Sequence, residues 1–249
     1  MHNKILSATL GVLILFSPAL PASSNEHPSE EHLLTRVIEL QGGGDRSLLK
    51  ELAADYAKDN RITRAEALAQ AIGELKAAAK EEAAIGDSAA TADSIDIRSG
   101  GGGTRKLVNA TQKGDIFYTP ARTLTYNHAH VGIYNSTSTV VHAPGEGLSR
   151  QDKIGNVEVS RGSTRLMTVW TTQGKRNSAA NYAYNHLRNR PYRINFAFNK
   201  TKNGAINCSQ LVWVAYHDGS GIDLDSDGGP GVYPHDILYS RSTHVYKIF

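Results

Sequence analysis

Four consecutive glycines at positions 100–103 divide this 249-residue chain into two parts whose apolar residues recur with different periods. Before the glycines, Leu33, Leu34, Val37 and Ile38, then Leu48, Leu49 and Leu52, then Leu68, Ile72 and Leu75 recur every three or four residues, the spacing of an amphipathic helix. Gly42-Gly43-Gly44 separates the first helix from the second, and Thr63-Arg64-Ala65-Glu66 has the form of a capping box opening the third. After the glycines the pattern becomes short and strand-like at 115–118, 130–134, 139–142 and 165–170, with helices expected at 179–188 and 208–217. The organisation expected is a helical segment over 25–84, a flexible Ala/Ser/Gly-rich linker over 85–106, and an α+β domain over 107–249 with an antiparallel sheet packed on helices. The helical segment reads as a packing or partner-docking extension in preference to a targeting or inhibitory prodomain.

Residues 1–24 carry a positive end at Lys4, an apolar stretch at 5–16 and a small-residue exit, Pro18-Ala19-Leu20-Pro21-Ala22-Ser23-Ser24. That is the pattern of a secretory signal, so the mature chain is expected to be exported and soluble, with no stable membrane insertion. Export normally permits disulfides, yet the chain has one cysteine, so Cys208 is expected as a free thiol. A net charge of +3, from 27 basic and 24 acidic residues, is too mild to point to a nucleic-acid partner.

Cys208 follows Asn207, a favoured N-cap residue, so the thiol falls in the first turn of a helix. Unpaired N–H groups and the positive end of the helix dipole there favour a thiolate and lower the thiol pKa. Leu211, Val212, Ala215 and Tyr216 form the apolar face that anchors this helix, leaving its N-terminus to face a cleft, and Gly219 is the expected stop. A candidate base lies in the stretch from 127 to 147. Strand alternation sends His130, Gly132 and Tyr134 to one face; an odd-length turn centred on Ser136 would set His130 directly opposite His142 on that face. An even turn would send His142 to the other face. A thiolate at a helix start, a histidine to take its proton and a polar group to orient that histidine are the parts of a cysteine hydrolase.

These residues resemble a known family. Asp115-Ile116-Phe117-Tyr118, His130-Val131-Gly132-Ile133-Tyr134 and Val141-His142-Ala143-Pro144-Gly145 resemble the strand motifs of the NlpC-type cell-wall hydrolases, a branch of the papain-like cysteine peptidases. Asn207-Cys208-Ser209-Gln210-Leu211-Val212 resembles their nucleophile motif, and Arg190-Pro191-Tyr192 their Pro-Tyr element. Both histidines precede the cysteine, the reverse of the common order. The chain is therefore similar to the circularly permuted amidase branch typified by YiiX-like and YycO-like proteins, over roughly 107–240. The resemblance implies a permuted papain-like fold, Cys208 as nucleophile, His130 as general base, His142 as the orienting residue, and Tyr192 holding substrate or oxyanion. It implies no metal and no cofactor. Two departures bear on the cleft: Tyr192-Arg193-Ile194-Asn195 lacks the usual Trp-Gly-Gly, and Asn207 and Gln210 replace Asp and Gly.

Other chemistries share some of these atoms. His128-Ala129-His130 has a strand-type zinc spacing that His142 or Cys208 could complete. Asp223, Asp225, Asp227 and Gly228 open like a calcium loop, but the twelfth position is Pro234 and lacks the bidentate glutamate. A non-enzymatic binding module built on the helical segment is the third class. The expected function is hydrolysis of an amide in peptidoglycan stem peptides through an acyl-enzyme, with a lipid- or acyl-directed amidase, thioesterase or acyltransferase as the alternative.

Overall fold

A computed structural model describes residues 28–93, 103–120 and 129–249, with the side chains of 86–93 excepted. The signal reading of residues 1–24 and the reading of His128 lie outside the described residues.

Three helices come first: α1 (Glu30–Leu40), α2 (Arg46–Asn60) and α3 (Arg64–Asp93). Ser29 and Asp45 cap the first two, Asp45 accepting the N–H groups of Ser47 and Leu48 at 2.8 and 2.9 Å. At the start of α3, Thr63 and Glu66 bond reciprocally: the Thr63 N–H donates to Glu66 Oε2 at 2.7 Å, and the Glu66 N–H to Thr63 Oγ1 at 3.1 Å. Helix α3 runs nine residues beyond the expected boundary at Ala84, which corrects the linker expected over 85–106. The alanine-rich stretch there, read as linker from its Ser, Asp and Gly content, has enough helix propensity to extend the helix. A short strand, β1 (Thr104–Lys106), shortens the linker from the other end.

The second part is an antiparallel sheet with two helices on one face. Its six strands are β2 (Ile116–Thr119), β3 (His130–Ser136), β4 (Thr139–His142), β5 (Arg150–Lys153), β7 (Arg165–Val169) and β8 (Thr243–Ile248), in the order β5-β4-β3-β2-β7-β8. Strand β6 (Glu158–Ser160) pairs with β1 in a separate ribbon. Helices α4 (Gln173–His186) and α5 (Cys208–Ser220) pack on one another and on β3, and α6 (Pro234–Tyr239) lies against α5 and β8. Together these elements make an α+β fold.

Alternation sorts the sheet residues into two apolar clusters. Ile116, Tyr118, Val131, Ile133, Val141 and Met167 face α4, α5 and the N-terminal helices. Phe117, Tyr134, Val140 and Leu166 face the other way, where Leu107, Val157 and Val159 around the β1–β6 ribbon cover them. Helix α5 is buried along its first nine residues rather than on one stripe, because α4, α6 and the sheet surround it. Gly221, with φ of 69°, ends it. Gly219, the expected stop, lies inside the helix, where a Cβ would come within 2.8 Å of Tyr182 Cβ and 3.0 Å of Ala179 Cα. It is the close crossing of α5 on α4 that requires a glycine there.

Candidate active site

The β3–β4 hairpin decides whether the two histidines meet. Its turn is even, with Ser136 paired to Thr139 and only Thr137 and Ser138 between them. That parity alone would place His142 across from Ile133, on the wrong face. Asn135 is an extra residue on β3, a bulge between the Tyr134–Val140 and Ser136–Thr139 pairs, and it restores the face. His142 then pairs with Gly132 and is the diagonal neighbour of His130, rather than its direct partner as the odd-turn geometry had it. The rings meet, with His130 Nε2 and His142 Nδ1 2.9 Å apart.

Gly132 is what lets them do so. A Cβ at this position would lie 2.5 Å from Phe117 Cε1 and 2.8 Å from His142 Cβ. The Phe117 ring fills that space and meets both imidazoles edge-on, with centroids at 5.4 Å from His130 and 6.2 Å from His142.

The polar chain continues beyond the predicted residues. His142 Nε2 lies 2.9 Å from Asp152 Oδ2, and Arg150 Nε donates to that same oxygen at 2.8 Å. Burial raises the Asp152 pKa, but the bonds from His142 and Arg150 outweigh it and hold the carboxyl below its ordinary value. With Asp152 ionised, His142 Nε2 carries the proton that it donates, so Nδ1 presents a lone pair. His130 Nε2–H then donates to that lone pair, which leaves His130 Nδ1 as the free acceptor. Burial, and after it His142, pushes the His130 pKa well down, so the resting ring is neutral and a weaker base than a free imidazole. Asp152 escaped the sequence reading because Arg150-Gln151-Asp152-Lys153 is polar throughout and carries no alternation to mark a strand. The one usable signal was that a strand beside β4 brings a residue of matching parity within reach of His142.

Cys208 comes from the other side. It opens α5 behind a reciprocal cap: Asn207 Oδ1 accepts the Gln210 N–H at 2.9 Å, and Gln210 Oε1 accepts the Asn207 N–H at 3.4 Å. The two departures from the family motif are therefore the two halves of one capping box, worth about 1 kcal/mol to the helix. Arg193 Nη2 donates to the same Gln210 oxygen at 3.1 Å, and the Asn195 carbonyl accepts from Asn207 Nδ2 at 3.0 Å. The stretch that lacks Trp-Gly-Gly thus braces the cap.

The thiol is 3% exposed and lies 3.9 Å from the Ala129 carbonyl oxygen, with the Val131, Ser209 and Cys208 N–H groups turned toward the sulfur. It meets β3 beyond the last β4 pair, at the residues on either side of His130. No hydrogen bond joins Cys208 to His130 among the described residues: the imidazoles lie on the Phe117 face, and the thiol packs with the Tyr118 and Val131 cluster. Burial pushes the thiol up to about 11 despite those N–H groups. This corrects the lowered pKa expected from the helix start; desolvation outweighs the dipole.

Tyr192 is tied to the strand-like lead into the nucleophile. It bridges Ile206 in parallel, and its N–H donates to the Gly147 carbonyl at 3.1 Å. Its ring is partly buried against the cluster that holds Cys208.

In the acidic loop, Asp225, Asp227 and Asp236 bring carboxylate oxygens within 4.8 Å of one another. Asp223 turns away to accept from Trp213 Nε1 at 2.8 Å, while the Lys200 ammonium pairs with Asp225 and so supplies positive charge there. Both His142 nitrogens are engaged, Nδ1 by His130 and Nε2 by Asp152. Among the described residues no helix is long and apolar enough to cross a membrane.

No protein-family profile matches the chain. The crystal structure of metalloprotein yiiX from Escherichia coli O157:H7 superposes with a TM-score of 0.42 at 14% identity, covering 55% of this chain and 97% of that one. YycO of Bacillus subtilis strain 168 is 35% identical over 210 residues, 83% of this chain and 82% of the relative. With that identity sustained over most of both chains, the protein belongs to the YycO family.

Proposed function

We propose that this chain is an exported cysteine hydrolase, with a permuted papain-like domain of the NlpC type, that cuts amide bonds in peptidoglycan stem peptides. The observation that carries the reading is the cap-held Cys208 sulfur beside β3 at Ala129 and Val131, with His130 between them heading the chain to His142 and Asp152. Export comes from the signal pattern of residues 1–24.

In this mechanism the stretch 129–131 at the start of β3, beyond its last β4 pair, shifts to bring His130 round to the sulfur, and His130 Nδ1 accepts the Cys208 proton as the sulfur attacks the substrate carbonyl. His142 and Asp152 hold the base in the tautomer that can accept it. The N–H groups of the α5 start, with Tyr192, stabilise the oxyanion; His130 returns the proton to the leaving amine, and water then releases the acyl group from sulfur. The thiol is protonated at rest, so proton transfer accompanies attack instead of preceding it.

Mass spectrometry of soluble fragments released from purified peptidoglycan tests the reading, with Cys208→Ala as control. Fragments released by the wild type alone support it, and their masses name the bond. Release by both proteins would overturn the cysteine mechanism; release by neither would overturn the peptidoglycan assignment and direct the search to acyl and lipid substrates.

A further inference from the structure

The N-terminal helices reach the nucleophile. Leu75, Ala78 and Ile85 of α3 are buried in the same apolar cluster as Cys208, Tyr118 and Val131. From this helix two carboxyl groups, eight residues and so about two turns apart, reach main-chain donors of the α+β domain. Glu82 Oε1 accepts the Ala129 N–H at 3.0 Å, and Glu74 Oε2 accepts the Gly231 N–H at 3.0 Å. Ala129 is also the residue whose carbonyl meets the Cys208 thiol, so Glu82 and the nucleophile hold the two polar groups of one residue.

We infer that α3 is a proton-controlled latch over Cys208: with Glu82 and Glu74 protonated the helix stays closed on the nucleophile, and their ionisation releases the edge of β3. Glu82 is faced by the Cys208 thiol on α5, the Ala129 N–H, and the wholly buried Tyr118 hydroxyl on β2, which has no hydrogen-bond partner among the described residues. None of these is a cation that would hold the ionised form. Glu74 is faced by Asp227 and Asp236, by the Tyr233 and Tyr56 hydroxyls, and by the Lys200 ammonium.

The sign follows from the shifts. Burial lifts Glu82 from 4.5 to about 7, and burial with Asp227 lifts Glu74 to about 9. A carboxyl whose pKa is higher docked than free favours docking below its free value and withdraws that support as pH rises through its docked value. For Glu82 alone the full loss is about 300-fold in the docking equilibrium, the ratio of the two proton affinities, of which about 80-fold falls between pH 4.5 and 7. Ionised Glu82 also raises the cost of forming a thiolate on Cys208 while α3 is docked.

This inference rests on reading Cys208 as the nucleophile, but its test needs no catalysis. Amide hydrogen exchange by mass spectrometry is followed on the full chain from pH 4.5 to 8. Each peptide is compared with the same peptide of Glu74→Gln/Glu82→Gln at the same pH, so that intrinsic amide chemistry cancels. Peptides covering 129–131 and the start of α5 should lose protection relative to the variant between pH 4.5 and 7, by about 80-fold from Glu82 alone. Parallel behaviour of the two proteins across that range would overturn the latch. Should the double variant not fold, Glu82→Gln alone gives the same comparison at Ala129. Divergence in a chain whose thiol cuts nothing would retain the latch and retire the hydrolase.

Discussion

Replacing Gly132 with alanine tests how the histidine pair is built. Gly132 is not among the residues with positive φ, so its backbone suits alanine, and such a change ordinarily stabilises by about 0.4–1 kcal/mol by restricting the unfolded chain. Here the new methyl would stand 2.5 Å from Phe117 Cε1 and 2.8 Å from His142 Cβ. Neither neighbour yields easily: His142 Cβ is fixed to the β4 backbone, and the Phe117 ring is fully buried between two sheet partners. Overpacking of this kind costs about 1–3 kcal/mol, leaving a net loss of about 1–2 kcal/mol. In a chain of this size that lowers Tm by about 2–8 °C, read by circular dichroism or calorimetry. Adding Phe117→Leu removes the clashing ring edge, so the pair should be non-additive and recover part of the loss. An unchanged or raised Tm for Gly132→Ala, or strict additivity with Phe117→Leu, would refute the packing argument.

Asp152→Asn removes the charge that fixes the His142 tautomer, so kcat should fall by about 10²–10⁴-fold with little change in Tm; a full kcat would show that the tautomer is set elsewhere. Gly219→Ala should lower the urea midpoint by the equivalent of about 1–2 kcal/mol, although an alanine inside a helix normally gains about 1 kcal/mol, because the methyl would press on Tyr182 and Ala179. A raised midpoint would mean that α4 and α5 can separate without loss.

What the sequence made legible was local. Gly42-Gly43-Gly44, the Thr63–Glu66 box and the Asn207 cap each act within four residues, and all three stand in the structure where the sequence placed them. The shared face of His130 and His142 was legible only as a parity, and the bulge that settles it has no marker within the polar run Asn135-Ser136-Thr137-Ser138. Asp152 was hidden because its partner is chosen by strand order, a property of the whole sheet. The thiol's pKa was misjudged for the same kind of reason. The helix start is written in Asn207, whereas the burial that outweighs it comes from α3 and the sheet.

The bulge at Asn135 makes the β3–β4 hairpin sensitive to odd changes in length. The loss or gain of one residue between 135 and 138 would turn His142 to the far side of the sheet and break the contact with His130, however conservative the side chains involved. A change of two residues would preserve the pairing. The turn can therefore change in length only by steps of two, so what must be kept along with the two histidines is an odd count of residues between them, the eleven from 131 to 141.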